Sequence, residues 1–188
     1  MSIKKAKECL LCLGICFIIV LGEKMKELLL VIDAQQDFIN ESTQEALENL
    51  KKLLASKKYE HVIFTKFVNS EKGLLYERLG YHGCVTSPSI DFVVDTKDFP
   101  VIEKSIYSAV NQELLQYIKK HQIDHIVIAG FDTDACVFKT CLDLFELGYH
   151  VSIIQDCCGA HDGKSVHEYT IQRFKRLIGK DNVICLFT

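Results

Sequence analysis

From residue 25 onward, short apolar runs alternate with segments whose apolar residues recur every three or four positions. The runs are Leu28 to Ile32, His61 to Phe67, Phe99 to Ile102, Ile126 to Ala129, Val151 to Ile154 and Val183 to Phe187. The unbroken apolar character of LLLVI and IVIA is that of strands buried on both faces of a parallel sheet. Helical spacing lies between them. Ser42 or Thr43 can cap a helix carrying Ala46, Leu47, Leu50, Leu53 and Leu54. A second helix spans Val110 to Ile118. Gly130 ends the fourth strand, and Thr133 and Asp134 open a third helix with Val137, Cys141, Leu144, Phe145 and Leu147 on its apolar face. Val166 to Leu177 forms a fourth. The pattern predicts an α/β fold: a three-layer, doubly wound, Rossmann-like sheet of six mainly parallel strands with right-handed crossovers. Residues 68–98 break the alternation with weak periodicity. A connection of that length reads as a functional lid.

Residues 1–24 carry a different pattern. Lys4, Lys5 and Lys7 precede an apolar stretch from Cys9 to Leu21, in the order of a signal-peptide n-region and h-region. No small-x-small cleavage site follows. Met25-Lys26-Glu27, leading directly into the first strand, reads as a natural beginning, with 1–24 a mis-called start and 25–188 one domain; the alternative is a signal or membrane anchor. A chain of 188 residues suits a single core, and a net charge of −3 gives no basic footprint for nucleic acid. The nine cysteines are odd in number and lack a paired CxxC set, since Cys9 and Cys12 stand alone. Many thiols without a framework indicate a reducing, cytoplasmic compartment. No glycine-rich phosphate loop follows any strand, so no nucleotide cofactor is expected.

In sheets of this kind, ligands bind beyond the carboxyl ends of the strands. Three strand ends carry reactive groups: Asp33 closes the first, Lys104 follows the third and Cys136 follows the fourth. Cys136 falls in the first turn of its helix, where free backbone N–H groups and the helix dipole favour an anion and lower a thiol's pKa. A cysteine taken alone is usually a packed thiol. With a carboxylate to take its proton and an ammonium to hold the ion pair, it becomes a nucleophile for a carbonyl.

Three pieces, LLLVIDAQQDF, EKSIYSAV and GFDTDACVFKTCLDLFELGYHVSIIQDCCGAHD, come in the order found in the isochorismatase-like cysteine hydrolases, and residues 25–188 resemble that family. It includes nicotinamidase, N-carbamoylsarcosine amidase and ureidoacrylate amidohydrolase. The resemblance implies Asp33 as general base, Lys104 as the triad lysine and Cys136 as nucleophile. It further implies a cis peptide between Phe131 and Asp132, with the N–H groups of Asp132 and Cys136 forming an oxyanion hole. Phe38, Tyr81, His82 and Tyr107 become candidate substrate contacts, as does Cys84, which shares the long loop with His82. The resemblance implies a dimer or tetramer acting on a small molecule.

Departures narrow the activity. Nicotinamidases carry an Asp-x-His pair and a further histidine after the second strand that bind a metal; FTKFVNSEKGLLYERLGYHGC lacks that pattern, so no metal is expected. Retention of Cys136 favours an amide, ureide or related carbonyl over a vinyl ether. Cys157 and Cys158 read as packed thiols, and His161 and Asp162 as structural or solvated groups. The alternatives are a catalytically silent binding or scaffold protein, an isochorismatase-type hydrolase of another small substrate, and a redox sensor at Cys136, which Cys141 is poorly placed to resolve.

Overall fold

The computed structural model describes residues 25–187; the readings of residues 1–24 lie outside the described residues. Six strands form one all-parallel sheet: β1 (Glu27–Ile32), β2 (His61–Phe67), β3 (Val101–Lys104), β4 (His125–Phe131), β5 (His150–Gly159) and β6 (Val183–Ile184). Among the described residues five α-helices accompany them: α1 (Gln44–Ala55), α2 (Leu74–Leu79), α3 (Gln112–His121), α4 (Phe138–Glu146) and α5 (Lys164–Leu177). The spatial order is β3-β2-β1-β4-β5-β6. Winding reverses between β1 and β4, so a crevice opens where their carboxyl ends diverge.

The alternation of side chains along each strand explains the three layers. Leu28, Leu30 and Ile32 join Ile126, Ile128, Val151 and Ile153 on one face, under Leu114, Val137, Leu144, Ile171 and Phe174 from α3, the α4 region and α5. Leu29 and Val31 join Phe64, Val127 and Ala129 on the other, under Leu47, Leu50 and Leu53 of α1. Burying each such side chain contributes roughly 1.5–3 kcal/mol relative to exposure.

Several boundaries differ from the pattern-based expectation, each for a local reason. β3 begins at Val101 because Pro100 has no N–H to donate; its carbonyl accepts from Phe64 N–H at 3.0 Å instead. The chain does not leave β4 at Gly130. The strand continues through a bulge with Gly130 at φ 116°, where an added Cβ would lie 2.0 Å from the Ile32 carbonyl oxygen. Polar Gln155 and Asp156 stay within β5. The Asp156 carboxylate accepts from Leu186 N–H at 3.0 Å and Phe187 N–H at 2.5 Å, which diverts these amides from the ladder and cuts β6 to two residues. Thr43 precedes α1 without capping it; its hydroxyl accepts from Asn40 N–H at 2.8 Å. The long 68–98 segment contains α2, closed by Gly80 in the left-handed conformation.

Candidate active site

Asp33 follows β1 with φ 44°, a region that aspartate tolerates better than most residues. Its side chain is wholly buried. Thr65, a polar residue inside β2, fixes it from two directions: the Thr65 hydroxyl donates to Oδ1 at 2.7 Å and accepts from Asp33 N–H at 3.1 Å. Lys104 is the last residue of β3. Its Nζ lies 2.6 Å from Asp33 Oδ2, 3.2 Å from Cys136 Sγ and 3.0 Å from the Ile106 carbonyl oxygen. It also sits over the Phe67 ring, 5.1 Å from the centroid. Oδ2 of Asp33 receives no hydrogen bond of regular geometry, so the ammonium holds it by ionic contact alone.

Cys136 comes from the turn after β4. The Phe131–Asp132 peptide is cis. Thr133–Val137 then forms a single wide π turn leading into α4. The Asp132 carbonyl accepts from Ala135 and Val137 N–H, both at 3.1 Å, with no such bond from Cys136 between them. Buried Thr133 bonds through its hydroxyl to His167 Nδ1 at 2.9 Å, tying the turn to α5.

Burial and neighbouring groups shift both Lys104 and Cys136. Burial pulls Lys104 down, but the Asp33 carboxylate and Cys136 outweigh it and hold the ammonium above its ordinary value. Burial pushes the Cys136 thiol well above the ordinary cysteine value; Asp33 adds to this, and Lys104 opposes it without prevailing. This corrects the expectation of a lowered thiol pKa at a helix start. The thiol is only 5% exposed and faces a carboxylate, and these effects outweigh the helix terminus. Lys104 therefore rests as an ammonium and Cys136 as a thiol.

Cys136 forms the floor of a cavity of about 590 Å³. Phe38, Phe67, Leu75, Leu79, Tyr81 and Tyr107 supply its apolar and aromatic walls. Asp37, Asp132, Asp134, His161 and Asp162 supply its polar side. Tyr81 donates its hydroxyl to Asp37. Burial pushes Asp132 up to about 7; the His161 N–H, donating at 2.9 Å, works against this and the carboxylates of Asp134, Asp162 and Asp33 with it.

Asp33, Lys104 and Cys136 are thus brought together from three strand ends, and Phe38, Tyr81 and Tyr107 face the cavity over them. His82 does not: it is exposed and packs edge-on to Tyr76, with ring centroids 4.3 Å apart. Cys84 is fully buried within hydrogen-bonding reach of Tyr81 and Gln35. His161 and Asp162 are solvated, as read from the sequence, but they also stand at the cavity rim. Cys157 and Cys158 are packed thiols. At the end of β2, Phe67 is a cavity wall, while Asn69 donates to the Tyr81 and Gly83 carbonyl oxygens at 2.7 and 3.0 Å and holds the loop. Among the described residues, no group of three or more His, Cys, Asp or Glu side chains is arranged to hold a metal ion. No helix among them is long and apolar enough to cross a membrane.

Sequence reasoning missed Thr65 and Gln35. Buried Gln35 donates to the Phe67 and Ile90 carbonyl oxygens at 2.9 and 3.0 Å and accepts from Phe67 N–H at 2.7 Å, joining β1, β2 and the long loop. The available signal was a polar residue inside, or directly after, an otherwise apolar strand.

Comparison with known proteins agrees with this architecture. The isochorismatase domain profile matches residues 27–181. Isochorismatase family protein 2A of Dictyostelium discoideum is 29% identical over 154 residues, 79% of this chain and 73% of that protein. The nicotinamidase of Bacillus subtilis superposes with a TM-score of 0.72 at 22% identity, covering 87% of this chain and all of the other. The N-carbamoylsarcosine amidase of Thermoplasma acidophilum superposes with a TM-score of 0.71 at 20% identity, covering 82% of this chain and 94% of the other. At these identities the two structures speak for a shared fold.

Proposed function

The chain belongs to the isochorismatase domain family, a family of hydrolases, and from that membership we propose that it is a cysteine amidohydrolase. It cleaves the C–N bond of a small amide, ureide or related carbonyl compound through a Cys136 thioester. The observation that carries this reading is the buried Asp33–Lys104–Cys136 group, held by contacts of 2.6 and 3.2 Å beneath an aromatic-walled cavity.

The charges dictate the sequence of events. The resting thiol is protonated, so a base must act, and the buried Asp33 carboxylate takes the proton as substrate enters. Negative charge then moves from Asp33 to the sulfur, and the Lys104 ammonium, in contact with both, compensates it at either place. The thiolate attacks the carbonyl carbon. Backbone N–H groups of Asp132 and Cys136 stabilise the oxyanion; the Cys136 N–H left unspent by the Asp132 carbonyl supports this role. Collapse of the tetrahedral species breaks the C–N bond, and the proton held on Asp33 passes to the leaving nitrogen. Asp33, again a carboxylate, takes a proton from water, which attacks the thioester and frees the acid and the thiol.

Turnover of a broad panel of primary amides and ureides by the wild type and by Cys136→Ala tests this reading. Loss of all turnover in a variant that keeps its far-ultraviolet dichroism and melting cooperativity is the expected result. Undiminished turnover of any panel member by Cys136→Ala would refute it.

A further inference from the structure

The acidic side chains lining the cavity over Cys136 are Asp37, Asp134 and Asp162, with Asp132, raised to about 7, charged only in part near neutral pH, and none of its lining residues is lysine or arginine. Lys104 is not among the lining residues, and its ammonium is paired with Asp33 at 2.6 Å. Asp134 and Asp162 are exposed at the rim and are free to meet an incoming group. Aromatic side chains also line the cavity: Phe38, Phe67, Tyr81 and Tyr107, the last 39% exposed. Aromatic faces attract cations, and a concave site lined by one sign of charge focuses its potential inward. An anionic compound would lose its hydration on entry and meet the acidic side chains without a lysine or arginine among the lining residues.

Resting on the reading of Cys136 as a nucleophile, we propose that the substrate's amide or ureide is borne on a cationic group, an ammonium, amidinium or guanidinium. The rim carboxylates Asp134 and Asp162 receive the cation while the carbonyl reaches Cys136. The cavity over Cys136 is the site, and the carboxylates decide what enters it. Asp132 also lines the cavity, its side chain accepting from the His161 N–H at 2.9 Å. The same device tells a cationic substrate from its acidic product analogues, because hydrolysis of the amide creates a carboxylate that this cavity repels.

The nucleophile itself reports the cavity's potential, so the test requires no knowledge of the substrate. Methanethiosulfonates react when a thiolate attacks the sulfenyl sulfur; a mixed disulfide forms and methanesulfinate leaves. Labelling rates at Cys136 are read by peptide mass spectrometry on the intact folded chain, with 2-aminoethyl methanethiosulfonate as cation and 2-sulfonatoethyl methanethiosulfonate as anion. Each rate is divided by that of a neutral model thiol. The normalised cation-to-anion ratio should exceed about tenfold at low salt and fall toward one as salt shortens the screening length. Asp134→Asn combined with Asp162→Asn should reduce the ratio several-fold. A ratio at or below one at low salt would overturn the proposal while leaving the nucleophile assignment standing. Failure of both reagents to label Cys136 at all would instead overturn the nucleophile reading, and this proposal with it.

Discussion

Replacing Asp33 with asparagine should make Cys136 a better thiolate and a worse catalyst at once. The side chain is fully buried, with its charge 2.6 Å from Lys104 Nζ. At that distance and an effective dielectric near 20, the pair's attraction is about 6 kcal/mol, much of it offset by the cost of burying two charges. Removing one partner strands the other, and a loss of about 3–5 kcal/mol is expected. That is a large part of the roughly 5–15 kcal/mol that holds a domain together. Asparagine keeps the size, tolerates the left-handed φ of 44° and can still accept from the Thr65 hydroxyl, so the fold should survive at low temperature. The stranded Lys104 ammonium then has Cys136 Sγ, 3.2 Å away, as the neighbour whose ionisation would supply a counter-charge. Because Asp33 raises the thiol's pKa, its removal should lower the midpoint of Cys136 alkylation relative to wild type. Loss of the base should meanwhile reduce turnover by about 10²–10⁴-fold. Iodoacetamide labelling of the Cys136 peptide across pH, alongside urea unfolding, measures both effects. An unchanged or raised alkylation midpoint in a folded variant would refute the assigned electrostatics.

Three further expectations follow from the surrounding structure. Gly130→Ala places a methyl 2.0 Å from the Ile32 carbonyl oxygen at φ 116°, and backbone cannot yield as a side chain would; a loss above about 3 kcal/mol should appear as little or no soluble, cooperatively melting protein. Gln35→Leu leaves the Phe67 N–H and the Ile90 and Phe67 carbonyl groups without their partner and should cost about 3 kcal/mol in chemical denaturation, with faster proteolysis of the 81–92 loop. Asp132, raised from 3.8 to about 7, binds its proton more tightly folded than unfolded; its contribution is fully present below about pH 4 and is lost as pH rises through about 7. Unfolding free energies measured between pH 4 and 8 should therefore decline less steeply with rising pH in Asp132→Asn than in wild type, and parallel curves would count against the raised pKa.

Strand identity and order of elements were legible because they rest on side-chain periodicity, which burial on two faces of the sheet enforces directly. LLLVI and IVIA could only be central strands. Ends were less legible because they depend on single hydrogen bonds between distant residues. Asp156 shortens β6 by taking the Leu186 and Phe187 amides, and no local pattern announces it. The convergence of Asp33, Lys104 and Cys136 could be anticipated from the rule that parallel strands present their carboxyl ends to one crevice. The sign of the Cys136 shift could not. It depends on how deeply the thiol is buried and on which of two opposite charges prevails, and sequence position encodes neither. The same holds for His82, two residues from Cys84, which faces solvent while its neighbour is buried.

The central claim is that Cys136 is transiently acylated by its substrate. Rapid-quench mass spectrometry on the wild type, with an amide or ureide that it turns over, tests this directly. The account predicts a mass increase equal to the acyl group, confined to the Cys136 peptide, removed by hydroxylamine and absent in Cys136→Ala. Turnover with no adduct at Cys136 under conditions that slow deacylation, or with the acyl group on another residue, would contradict it.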